Sequence, residues 1–136
     1  MQKIMLLVFT VICTLGLPMP AMIDAADSLP AGFIAIASDM MNWSNAKAFC
    51  VSKGGRLPLI GGKNKIASSK DIPSGTPVDG FDSVGAKWPS GLHSGMYWTG
   101  TGRDIDSGPS WVVYDNKGVT VSNDYQSRAY RVVCVP

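Results

Sequence analysis

Cys50 and Cys134 are the two cysteines left once an N-terminal apolar run carrying the third, Cys13, is set aside, and that pair constrains the fold more than any other feature. The run reads as an export signal over residues 1–25. Lys3 supplies its positive end and Ile4 to Leu17 its apolar stretch, and Pro18 and Pro20 end it before small residues at Ala21, Ala25 and Ala26. It stops well short of the roughly 20 apolar residues that a bilayer-spanning helix needs, so no membrane anchor is expected. Cys13 follows Val11 and Ile12 rather than the small residues that precede a lipidated cysteine, and is expected to leave with the signal. The expected location is therefore secreted, extracellular or periplasmic, where an even pair of thiols oxidises to a disulfide. Such a bridge closes a loop of about 85 residues and contributes roughly 4–5 kcal/mol in the chain-entropy account. The competing reading, a reactive thiol, needs a base beside it, and the only histidine is His93.

Residues 26–136 are then expected to form a single small domain. Lys+Arg 12 against Asp+Glu 10, with net charge +2 and no basic cluster, is too even a balance for phosphate neutralisation, so no nucleic-acid partner is expected. All ten acids are aspartate, while 15 Gly and 9 Pro punctuate the chain, which favours loops and short strands over long helices.

Along the chain, Phe33 to Ala37 reads as an opening strand. Asn42 can cap a helix in which Trp43, Ala46, Phe49, Cys50 and Lys53 recur at helical spacing, with Gly54 and Gly55 as its stop. Arg56 to Ile60 leaves it extended, because Pro58 disfavours helical geometry at Leu57. A second short helix is expected around Asn64 to Lys70. Asp71 to Met96, rich in Gly, Pro, Ser and Asp, reads as a long surface excursion with Phe81, Val84 and Trp88 as its large apolar residues. Tyr97 to Thr101 is a strand. Ser110 to Tyr114 and Val119 to Ser122 are two more, joined by a four-residue turn over Asp115 to Gly118. Ala129 to Val135 is the last, and alternation puts Tyr130 and Val132 on the face of Cys134 and Arg131 on the other.

Four pieces in order, Asn-Trp-Ser-Asn-Ala-Lys-Ala-Phe-Cys (42–50), Gly-Gly-Arg-Leu-Pro (54–58), Tyr-Trp-Thr-Gly-Thr (97–101) and Tyr-Arg-Val-Val-Cys-Val (130–135), resemble the C-type-lectin-like superfamily. The resemblance is greatest to the bacterial C-terminal domain of the Legionella collagen-like adhesin. It covers nearly all of residues 26–136. It implies an α+β, C-type-lectin-like fold: a small antiparallel sheet, one main helix disulfide-linked to the C-terminal strand, and long irregular loops that bind ligand.

Calcium-dependent lectins of that superfamily resemble one another in a Glu-Pro-Asn or Gln-Pro-Asp triplet and a Trp-Asn-Asp triplet. This chain has neither, and it has no glutamate. Asp104, Asp106 and Ser107 could offer oxygens to a hard cation, but Asp-rich loops are more often solvated turns, and no metal or cofactor is implied. The formylglycine-generating oxidases share the Trp-x-x-Ala-x-x-Cys and Arg-Leu-Pro signature, yet their chemistry needs further cysteines that this chain lacks. A serine hydrolase needs a base, and His93 sits in a Gly-Ser-rich loop without a Gly-x-Ser-x-Gly elbow. No catalytic residues are assigned.

Binding is expected on the loops. Trp88 and His93 in the long excursion, Arg103 and Asp104 after the Tyr-Trp-Thr-Gly strand, and Tyr125 and Arg128 before the last strand combine aromatic faces with hydrogen-bonding groups. The alternative is that Trp88 and Tyr125 cover the core edge while the charges are solvated; for Trp88 both readings stand, and for the other five this alternative is the favoured one. Trp98 and Trp111 could form a sugar-stacking platform, but tryptophans on strands of a small sheet are more often core. The chain thus reads as an adhesive binding module for a glycan or protein on a cell surface, without calcium. A structural subunit of a pilus or other surface assembly is the alternative, and a formylglycine-generating-type enzyme a remote third.

Overall fold

The computed structural model describes residues 29–104 and 108–136. The expected export signal, Cys13, Asp106 and Ser107 lie outside the described residues. The described chain is α+β: β1 (Ala35–Ile36), α1 (Trp43–Ser52), β2 (Pro77–Val78), β3 (Asp82–Ser83), β4 (Tyr97–Gly102), β5 (Pro109–Asp115), β6 (Val119–Tyr125) and β7 (Val133–Cys134). Strands pair antiparallel as β1–β7, β2–β3 and β4–β5–β6.

Helix α1 forms where its caps dictate. The Asn42 side chain accepts from the Asn45 amide at 2.9 Å, which satisfies one of the donors a helix start leaves open. At the other end the Gly55 amide reaches the Cys50 carbonyl at 2.9 Å and the Gly54 amide reaches Val51 at 3.0 Å, with Gly54 at φ +83°. That is the Schellman arrangement, which requires a residue tolerant of left-handed backbone. Trp43, Ala46 and Cys50 are buried, and Cys50 is bonded to Cys134 of β7, joining the helix to the C-terminal strand.

The three-stranded sheet separates two cores. Trp98 and Val112 pack with Trp43, Ala46, Leu57, Val132 and the disulfide on one side. Tyr97, Trp111, Val113 and Val119 pack on the other with Phe33, Ile60, Phe81 and Val133. β7 also sits between the cores: Val132 and Cys134 face the helix, with Tyr130 partly buried against the same cluster, and Val133 and Val135 face the opposite side. Trp98 and Trp111 are fully enclosed, so neither offers a ring face to a sugar. Every indole N–H has a carbonyl: Trp43 to Thr99, Trp98 to Met41, Trp111 to Ile66 and Trp88 to Leu92, all at 2.8–2.9 Å. Burial of these rings therefore strands no donor.

β4 and β5 slip register between Trp98 and Gly102. The Thr99 hydroxyl donates to the Trp111 carbonyl at 2.8 Å in place of a ladder bond, while the Gly100 amide turns out to the Pro58 carbonyl at 2.7 Å. This bulge re-aims the strand toward the segment that leaves α1.

Several expectations need correction. The segment Asp71 to Met96 is not a surface excursion, because Ile72, Val78, Phe81 and Leu92 from it are all buried in the larger core. The second helix expected over Asn64 to Lys70 is replaced by one 3-10 turn at Ser69–Asp71, capped by the Ser68 hydroxyl. The hairpin loop is one residue shorter than expected, since Asp115 pairs with Val119. Lys117 and Gly118 both adopt positive φ there, and the Asp115 carboxylate holds the Gly118 amide at 3.0 Å. The opening and closing strands each shorten to two residues, with Tyr130 and Arg131 reduced to single bridges to Met41 and Tyr97.

Candidate functional site

The six residues singled out in the sequence do not share one face. β4 begins at Tyr97, beside the end that carries the β5–β6 turn, and runs to Gly102, next to Arg103. Those ends are about 17 Å apart along the strand. Trp88 and His93 belong to the first end, whereas Arg103, Asp104, Tyr125 and Arg128 belong to the second.

At the first end, Trp88 is half-buried. Its ring lies 5.2 Å from Phe81 and 5.9 Å from Tyr97, and its N–H is held by the Leu92 carbonyl. This is the geometry of a cover on the core edge. His93 is exposed; its Nδ1 is hydrogen-bonded with the Ser94 carbonyl at 2.6 Å, and its own carbonyl accepts from the Tyr97 hydroxyl at 2.7 Å. Burial raises the Tyr97 pKa above its ordinary 10.0, with the Arg131 charge opposing the rise.

The second end is where exposed and fixed groups meet. The Arg103 amide donates to the Pro109 carbonyl at 3.0 Å, and Pro109 pairs with Tyr125 across β5 and β6. The backbone thus draws the two loops together, and Asp104 follows on the exposed side. The Arg103 guanidinium donates to the Ala67 carbonyl at 3.1 Å. Tyr125 is 63% exposed, which removes the reading in which it covers the core edge.

Asp124, next to it, organises the turn into the last strand. Its Oδ1 accepts the Tyr125 amide at 2.8 Å and faces Arg128 Nε at 3.5 Å, and its Oδ2 accepts the Tyr130 hydroxyl. The Arg128 amide closes the turn on the Tyr125 carbonyl at 3.0 Å. Tyr130 meets Trp98 edge-on at 5.0 Å, and the Gln126 amide donates to Ser110 Oγ at 3.0 Å, so the turn is anchored to the sheet on both sides. The Tyr130 hydrogen bond, then the Tyr125 amide, holds the Asp124 pKa below its ordinary 3.8, with the Arg128 charge acting in the same direction. The same hydrogen bond is the main cause that raises the Tyr130 pKa above 10.0.

The sequence reading names Tyr125 and Arg128 as candidates but not Asp124 and Tyr130, to which the structure ties them. In sequence Tyr130 reads only as a core-face residue, and Asp124 carries no motif. The arrangement offers an exposed aromatic ring flanked by an exposed guanidinium on a braced turn, which suits binding by stacking and hydrogen bonding. Among the described residues no group of three His, Cys, Asp or Glu converges as metal ligands.

A separate concavity of about 580 Å³ lies between β1 and α1, lined by Leu29, Ile34, Ala35, Ile36, Ser38, Phe49 and Lys53. Ile34 and Ile36 are exposed along it, and Met40, outside its lining, is exposed as well. Among the described residues no helix is long and apolar enough to cross a membrane. Comparison with protein-family models, with curated proteins and with solved structures finds no match.

Proposed function

We propose that residues 26–136 form an exported, C-type-lectin-like domain that binds a glycan or protein without calcium, through the turn that carries Tyr125 and Arg128. The observation that carries this reading is the Tyr125 ring, largely exposed beside a carboxylate whose two oxygens are engaged by Tyr130, the Tyr125 amide and Arg128. A flexible exposed aromatic would lose entropy on binding, whereas one on a braced turn loses less. The helix disulfide-bonded to the terminal strand and the small antiparallel sheets support the lectin-like part of the reading. The test is a glycan array and a surface-protein pull-down with residues 26–136, repeated with Tyr125→Ala. Loss of about 30-fold in affinity at unchanged melting temperature is the expected result for an anchor aromatic. Binding that survives the substitution refutes the assignment to this turn.

A structural subunit of a surface assembly is the second reading, favoured by Ile34 and Ile36 exposed together along the concavity beside β1. Stable co-purification with another exported protein, lost with Ile36→Lys while glycan binding is absent, would select it.

A further inference from the structure

A second concavity, of about 180 Å³, opens on the helix side of the β4 bulge and shares no residue with the Tyr125 turn. It is built by four stretches of chain: Lys47 and Val51 of α1, Arg56, Leu57 and Leu59 of the segment that leaves it, Asn64, and Gly100 at the bulge. We infer that it binds a monoanionic carboxylate carrying a short aliphatic group.

The charge of the site sets the ligand charge. Arg56 Nη1 is engaged by Asp79 Oδ2 at 2.7 Å and by the Leu57 carbonyl at 3.2 Å. This clamps the guanidinium and leaves Nε and Nη2 without a partner among the described residues. Asp79 is itself fixed by the Leu59 amide at 2.9 Å. With Asp79 balancing Arg56, Lys47 leaves the site with one positive charge, which matches a carboxylate rather than a phosphate dianion. Lys47 is not a freely waving side chain, because its Nζ sits 3.7 Å from the centroid of the Trp43 ring. Asn64 completes the lining beside them.

The floor sets the rest of the ligand. Leu57 is buried, Leu59 is half-buried and Val51 is 71% exposed at the edge, so the surface facing the charges is aliphatic. A Cβ at Gly100 would crowd that floor, standing 3.1 Å from Leu59 Cδ2 and 3.5 Å from Leu57 Cβ. At about 180 Å³ the concavity has room for a carboxylate carrying a few carbons. Two sources share this chemistry, a polypeptide C-terminus ending in a small apolar residue and a free short-chain acid.

The experiment uses residues 26–136, isotope-labelled, titrated with butyrate, with the peptide Gly-Gly-Val and with the C-terminal amide of that peptide. Saturable shifts centred on the Lys47, Arg56 and Gly100 amides with either carboxylate, and none with the amide, are expected. Gly-Gly-Val at least tenfold tighter than butyrate identifies a polypeptide C-terminus, and the reverse or equality identifies a free acid. Lys47→Gln weakens binding by about tenfold or more, the loss of one charge-assisted contact. Val51→Glu, at an exposed position where folding is unaffected, abolishes it by placing a negative charge at the mouth. No saturable shift with either carboxylate up to about 10 mM, equal binding of the amide, or binding unchanged in Val51→Glu overturns the inference.

Discussion

Trp88→Ala separates two roles that a tryptophan in a glycine-rich segment can play. The ring contacts Phe81 at 5.2 Å and Tyr97 at 5.9 Å, and each aromatic pair contributes about 0.5–1.5 kcal/mol beyond burial. Truncation also leaves the Leu92 carbonyl without its donor, at about 1 kcal/mol. Buried aromatics truncated to alanine cost roughly 3–5 kcal/mol, and half-burial puts Trp88 at the lower end, about 3 kcal/mol. For a domain of this size that is a fall in Tm on the order of 10–20 °C. Trp88→Phe keeps the ring contacts and loses the N–H, so it should recover all but about 1 kcal/mol. Urea unfolding followed by circular dichroism measures both variants, with ligand affinity measured alongside. A loss below about 1 kcal/mol in Trp88→Ala, accompanied by lost ligand binding, would refute the packing role and make Trp88 an interface residue.

Replacing both Cys50 and Cys134 by serine should cost about 4–5 kcal/mol in urea unfolding, from the loop-closure entropy of a bridge with sequence separation 84, and a cost under about 1 kcal/mol would contradict it. Asp124→Asn should lower Tm at neutral pH. The carboxyl's folded pKa is depressed, so its stabilisation is present above its ordinary 3.8 and lost as pH falls through the lower folded value. Tm profiles of the two proteins should therefore converge in acid, and a gap that persists there would count against the linkage. Gly55→Ala should destabilise by about 2 kcal/mol or more, because its Cβ would fall 2.2 Å from the Val135 carbonyl oxygen, and chemical denaturation reads this directly.

Helix α1 was legible because its signals are local: Asn42 as cap, Trp43, Ala46 and Cys50 at helical spacing, and the paired glycines after Lys53. The β5–β6 hairpin was legible for the same reason, through Val-rich runs flanking an Asp-Asn-Lys-Gly turn. The burial of the segment from Asp71 to Met96 is not legible in sequence because Ile72, Val78, Phe81 and Leu92 recur at neither period two nor 3.6. They reach the core from a 3-10 turn, the β2–β3 hairpin and a later turn, so burial there depends on tertiary closure rather than on pattern. The Asp124–Tyr130 pair was hidden similarly, since it joins the end of one strand to the start of another run across a turn. Lys47, Arg56 and Asn64 are far apart in sequence and line one concavity with Gly100, whose amide bonds the Pro58 carbonyl of the segment leaving α1.

The position of the Cys50–Cys134 bond also decides how the molecule would bear tension. A pull between Leu29 and Pro136 first meets the β1–β7 pairing, which antiparallel geometry lets unzip one bond at a time. Paying out residues 29–50 as extended chain releases roughly 70 Å, and α1 unwinds with it. The covalent link then carries the load. Everything between residues 50 and 134, including both ends of the three-stranded sheet and the Tyr125 turn, lies inside the closed loop and experiences no stretching force. With the bridge reduced, that shield is gone, and the same pull would reach β6 and the turn directly.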